Sequence, residues 1–146
     1  MKAVIQRVLD AELKVDGELI SKIGKGYVIF LGVKKGDTTL EADYFIKKIP
    51  PLRICEDENG KTNKSIIDVN GEILMVSQFT LMANTSHGNR PDFLSAESPA
   101  LANELYEYVV KGISEQGITV KKGVFGADMK INQTNDGPFT IILEKK

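Results

Sequence analysis

Two short runs gather the polar residues that could do chemistry: Ser77-Gln78-Phe79-Thr80 and Asn135-Asp136-Gly137-Pro138-Phe139-Thr140. The first follows the apolar Met75-Val76. A buried strand continuing into Ser-Gln-x-Thr must find partners for two hydroxyls and an amide, because unpaired polar groups are costly inside a fold. A strand emerging at a sheet rim satisfies the same pattern. The second run carries the Gly and Pro of an ordinary turn. X-Pro bonds are cis in about 5–6% of folded cases, so these residues alone do not fix the isomer. The hydroxyl of Thr80 would need a base beside it to act as a nucleophile, and none is apparent. His87, the single histidine, stands in a polar loop beside Ser86, Gly88 and Asn89. No G-x-S-x-G elbow is present either, so a Ser-His-Asp set is not assembled. The 20 acidic residues make some carboxylate pair inevitable, and such a pair points to nothing. There is no P-loop and no strand-bound G-x-G-x-x-G. With Cys55 the single cysteine, an intrachain disulfide and a Cys-based zinc site are excluded, and neither metal nor cofactor is expected. Two options remain: a binding module, or an enzyme whose chemistry uses backbone groups and the substrate itself.

Composition sets the frame for these runs. The chain has 146 residues, 42% hydrophobic and 27% charged, which suits one domain spanning residues 1–146 with a single core. The formal net charge of −1 argues against a surface that grips long stretches of nucleic acid. The lysine pairs at 34–35, 47–48, 121–122 and 145–146 read as solvated faces and at most permit a local phosphate contact. No run approaches the roughly 18 apolar residues of a membrane span. Met1 to Val8 alternates rather than forming an apolar leader, which points to a cytoplasmic setting.

The elements that must position the two runs can be read from periodicity. Ala3–Val8 and Glu12–Val15 alternate as strands, and Asp16-Gly17 joins the latter to Glu18–Ile23 as a hairpin. Tyr27–Val33 is nearly continuous and β-branched, as in a strand buried on both faces. Thr38 and Glu41 form a capping box opening a helix. Its apolar stripe is Leu40 and Tyr44, widened by Phe45 and Ile49, and Pro50-Pro51 stops it. Leu52–Cys55 and Glu72–Leu81 read as strands. A second helix begins at Ser98-Pro99, with Ser98 capping and Leu101, Leu105, Tyr108, Val109 and Ile113 inward, and it ends at Gln116-Gly117. Ile118–Phe125, Met129–Gln133 and Phe139–Leu143 are closing strands. Without regular βα alternation, this order predicts an α+β fold: mostly antiparallel strands curled toward a barrel, with two principal helices.

Taken together, the runs resemble the D-aminoacyl-tRNA deacylase family. The resemblance begins at Met1-Lys2-Ala3-Val4-Ile5-Gln6-Arg7-Val8 and continues through Val15-Asp16-Gly17-Glu18, Ile23-Gly24-Lys25-Gly26 and Leu52-Arg53-Ile54. Ser77-Gln78-Phe79-Thr80, Arg90-Pro91, Phe125-Gly126-Ala127-Asp128-Met129 and Asn135-Asp136-Gly137-Pro138 complete it. Pro50-Pro51, Cys55, Asn89 and Phe139 depart from the family's usual residues. The resemblance implies a homodimer with active sites at the subunit interface and aminoacyl-tRNA as substrate. It implies that Gly137-Pro138 is cis and reaches into the partner's site, where it rejects L-residues and admits D-residues and glycine. Catalysis would be substrate-assisted through the 2′-hydroxyl of the terminal adenosine. Backbone N–H groups near Phe79 and Thr80 would hold the oxyanion, Ser77 and Gln78 would shape the site, and Thr80 would position rather than attack. Ala102, Phe125 and Met129 would line the adenine pocket, although for Phe125 and Met129 core packing is an equal reading. The other class of function is a non-catalytic RNA- or protein-binding module on the same fold.

Overall fold

The computed structural model describes residues 1–146. Its longest early element is β1, Lys2–Val15, one strand where the sequence suggests two. Asp16 (φ 50°) and Gly17 (φ 80°) both adopt the left-handed conformation that a two-residue hairpin needs. They return the chain as β2, Glu18–Ile23. β3, Gly26–Gly32, pairs antiparallel with residues 2–8 of β1, and β2 pairs with residues 11–15. Helix α1, Thr39–Lys48, has the expected capping box, with Thr38 Oγ1 accepting from Leu40 N and Glu41 accepting from Thr38 N. Its buried side is Ala42, Phe45 and Ile49, whereas Leu40 faces solvent, so the apolar stripe is rotated from the expected one.

After α1 come two short strands, β4 (Cys55–Glu56) and β5 (Thr62–Lys64), which form a separate hairpin; Leu52–Ile54 is not part of a strand. β6, Glu72–Ser77, lies parallel to β3. It stops at Ser77 rather than Leu81, and Phe79–Met82 is a 3₁₀ turn. Helix α2, Pro99–Ser114, buries Ala102, Leu105, Tyr106, Val109, Val110 and Ile113. Leu101 and Tyr108, expected inside, are exposed. Ser98 makes no side-chain cap. Glu97 instead accepts from Ser98 N at 2.7 Å. β7 is confined to Thr119–Lys122 and runs parallel to β6. The two expected closing strands are one element, β8, Lys130–Glu144, paired with β1 along its length.

Three of the five pairings in the main sheet are antiparallel and two parallel, so the sheet is mixed. Its order is β2-β1-β3-β6-β7, with β8 on the other edge of β1. It curls until β2 and β7 meet, where Ser21 Oγ donates to the Lys122 carbonyl and Lys121 Nζ to the Lys22 carbonyl. The result is a nearly closed barrel-like sheet with two helices on one side. β3 is buried on both faces for that reason: Tyr27, Ile29 and Leu31 face the helical layer, and Val28 faces a second cluster inside the curl.

The candidate active site

A cavity of about 610 Å³ opens where β3, β6 and the start of α2 converge, a volume typical of small-molecule sites. Ser77, Gln78 and Phe79 form one wall because β6 breaks there. Gln78 N donates back to the Leu31 carbonyl at 2.9 Å, the last backbone bond to β3 before the chain turns into the 3₁₀ segment. The first bond of that turn runs from Leu81 N to the Gln78 carbonyl, so the N–H groups of Phe79 and Thr80 precede the ladder. The Gln78 amide donates to Thr80 Oγ1, fixing both polar side chains against each other. The Phe79 ring is 57% exposed and meets Phe93 edge-to-face at 5.1 Å.

The opposite wall is apolar. Ala102 contributes from α2, and Phe125 and Met129 from the segment after β7. Phe125 lies 6.4 Å from the Tyr106 ring, and Tyr106 donates its hydroxyl to the Met75 carbonyl at 2.7 Å. Burial pushes the Tyr106 hydroxyl above its ordinary range, which keeps it a donor. Lys35 and Glu97 are the ionisable lining residues. The Ser98 and Gly36 N–H groups, at 2.7 and 3.2 Å, hold the Glu97 carboxyl below the usual carboxylate range. With both oxygens engaged it is a poor proton acceptor.

Six of the nine residues singled out from sequence therefore line one cavity: Ser77, Gln78, Phe79, Ala102, Phe125 and Met129. Thr80 is tied to it through Gln78. Gly137 and Pro138 do not line it. They lie in β8 at a bulge, exposed, and their peptide bond is cis. Register explains the bulge. Gln6 pairs with Thr140 and Val8 with Asn135, so Arg7 alone stands opposite Asp136-Gly137-Pro138-Phe139. The surplus residues must leave the sheet plane. Gly137 sits at φ 129°, and a Cβ there would come within 2.9 Å of Phe139 N and 3.3 Å of Arg7 Nη2.

Arg7 is the residue that sequence reasoning missed. It is 4% exposed and fills the space beneath the bulge. Its Nε donates to the Asp136 carbonyl at 3.2 Å, Nη1 to the Ile54 carbonyl at 2.8 Å, and its guanidinium lies 4.9 Å from the Phe139 ring centroid. Asp136 Oδ2 and Glu56 Oε1 approach at 3.3 and 3.5 Å. Asp136 is the stronger partner, since Glu56 is half exposed and solvent screens it. The available signal was an arginine among apolar residues of a strand, which must be paired if buried. Behind Ile54, Cys55 Sγ lies 3.4 Å from the Tyr27 hydroxyl, which burial pushes well above its usual range. His87 is exposed in its loop, as expected.

Residues 4–144 match the family described as D-Tyr-tRNA(Tyr) deacylase. The chain belongs to that family. It is 54% identical to the D-aminoacyl-tRNA deacylase of Persephonella marina, over 100% of this chain and 99% of the relative. It is 48% identical to that of Syntrophomonas wolfei, over 100% and 98%. Among solved structures it resembles a c-Myc DNA Unwinding Element Binding Protein, at TM-score 0.93 and 43% identity over 100% and 99% of the two chains. A probable eukaryotic D-amino acid tRNA deacylase superposes with TM-score 0.79 at 15% identity, covering 97% of each chain, a likeness of fold alone. The barrel-like α+β architecture expected from the sequence is thus the family's fold.

Proposed function

We propose that this chain hydrolyses the ester of D-aminoacyl-tRNA, and that of glycyl-tRNA, in the cytoplasm, releasing the amino acid and intact tRNA. The observation that carries the reading is the cavity itself, which Ser77, Gln78, Phe79, Ala102, Phe125 and Met129 line without a histidine base among them, in a chain of the deacylase family. Water adds to the ester carbonyl, the C–O3′ bond breaks, and the 3′-oxygen leaves with a proton. The adjacent 2′-hydroxyl activates or positions the water, in place of the histidine that the cavity lacks. The N–H groups of Phe79 and Thr80 face the developing oxyanion, a role worth about 10²–10³ in rate per donor. Ser77 and Gln78 shape the site, and Thr80 positions. Ala102, Phe125 and Met129 take the adenine.

The filter is the Gly137-Pro138 backbone of a second copy. In its own chain this pair lies outside the cavity, exposed, and held from below by Arg7. Both facts suit an elbow that works in a neighbour's site within a homodimer. A D-residue turns its side chain outward, whereas an L-residue drives its Cβ against this wall. Release of tyrosine from D-Tyr-tRNA and L-Tyr-tRNA, without added metal, tests the reading. D-tyrosine is expected to leave faster, and equal rates for the enantiomers would sink it. Stoichiometric retention of charged tRNA with the ester intact would instead indicate a binding module. A solution mass of one chain would remove the shared site.

A further inference from the structure

The cavity has one cation on its wall, and the proposed chemistry gives it nothing to do. Lys35 makes no ion pair within 4 Å, although other lysines of the chain find carboxylates. Its backbone is held on all sides. Lys35 N donates to the Ser95 carbonyl at 2.8 Å, Gly36 N to Glu97 at 3.2 Å, and Lys34 N to Asp37 at 2.7 Å. Asp37 is itself paired with the N-terminal ammonium at 2.8 Å. Glu97, the cavity's other ionisable group, lies within electrostatic reach of Lys35, but its two oxygens accept from the Ser98 and Gly36 N–H groups, so the Lys35 ammonium keeps its donors for an anion brought by the substrate. The substrate limits the choice. Esterification has consumed the amino acid's carboxylate, its α-amino group is positive, and adenosine is neutral. The first negative group is the phosphodiester joining the terminal adenosine to the nucleotide before it. A second feature borders the same cavity: the exposed Phe79 ring, braced edge-to-face by Phe93 at an interplanar angle of 72°. Exposed aromatics beside a cation are how proteins hold single-stranded nucleic acid.

We propose that Lys35 and the Phe79–Phe93 pair form a subsite for the penultimate nucleotide of the RNA's 3′ end, the ammonium taking the phosphodiester and the Phe79 ring stacking the base. The inference rests on the deacylase reading and extends it from the terminal nucleoside to the strand that carries it.

The test compares two D-tyrosyl esters, one on adenosine alone and one on a single-stranded RNA ending in the tRNA trinucleotide. Lys35→Met is expected to raise KM for the RNA ester about fivefold, with kcat little altered, and to flatten the slope of log KM against log salt by about 0.7. Its loss on the adenosine ester is expected to be several times smaller, and Lys35→Arg restores both the KM and the salt slope. An abasic penultimate nucleotide is expected to weaken wild-type binding about fivefold, and Phe93→Leu to weaken that penalty. Equal losses on both esters, or an unchanged salt slope in Lys35→Met, would overturn the subsite and leave the deacylase standing. A wild-type protein that cleaves neither ester overturns the deacylase reading and the subsite with it.

Discussion

The cavity beside Ser77 and the bulge at Asp136–Phe139 differ in nearly every physical respect. The cavity is hollow, largely apolar, and walled by segments far apart in sequence. The bulge is solid, polar at its base, and made of four consecutive residues opposite one arginine. One offers room and hydrogen-bonding backbone; the other offers a fixed backbone edge and no room at all. If the proposed function holds, the chain separates where a substrate sits from what rejects it. On the proposed reading, a second copy brings the two together.

Four substitutions break or sharpen this contrast. Arg7→Ala removes the charge beneath the bulge and leaves two carbonyls and the Asp136 carboxylate without their donor. Urea unfolding should register a loss on the order of 3 kcal/mol, and the preference for the D-ester should fall. An unchanged midpoint would mean the bulge holds itself. Gly137→Ala places a Cβ at φ 129° against Phe139 N and Arg7. Strain of about 2 kcal/mol is expected, together with at least a tenfold smaller D-to-L ratio by the tyrosine-release assay. A ratio equal to wild type would remove this residue from the filter. Ala102→Leu fills the cavity from α2 while leaving the bulge untouched. KM for the D-ester should rise about tenfold, equivalent to roughly 1.4 kcal/mol, with the enantiomer ratio preserved. Should that ratio collapse as well, the two regions are not independent. Thr80→Ala loses its bond with the Gln78 amide, a contribution of about 1 kcal/mol or less. Single-turnover rates should stay within about fivefold of wild type, and a fall of three orders of magnitude would make Thr80 a nucleophile.

Phe139 and Cys55, two of the four positions that the sequence reading sets apart from the family pattern, meet at the bulge's support. Phe139 lies against the Arg7 guanidinium, and Cys55 follows Ile54, whose carbonyl Arg7 holds. A cation over an aromatic face is attractive, so Phe139 adds to the grip on Arg7 at the position beside the elbow. Cys55 fills a buried position against Tyr27 rather than an exposed, reactive one.

Legibility from sequence followed the range of the interactions involved. Asp16-Gly17, the Thr38–Glu41 capping box and the double-sided burial of β3 could be read directly, because each rests on neighbours in the chain or on an unbroken apolar run. The end of β6 could not. Whether polar residues after Val76 extend a strand or leave it depends on β3 ending opposite them, a contact between distant segments. The inward face of α2 holds Leu105, Val109 and Ile113 as expected, but its edges differ for a similar reason. Leu101 and Tyr108 are apolar enough for a core, but α1 and the sheet present their surfaces to Ala102, Tyr106 and Val110. Gathering Ala102, Phe125 and Met129 beside Ser77 required the resemblance, since nothing local relates them.

What the sequence alone determined is the two helices, the first hairpin, the family, and the two runs that matter, because turn chemistry, capping and hydrophobic period act over a few residues. What only tertiary structure decided is where those runs stand. A one-against-four mismatch between β1 and β8 pushes Gly137-Pro138 out over a buried arginine, and the convergence of four separate segments opens a cavity elsewhere. Register and closure are properties of paired strands, and no single stretch of chain contains them.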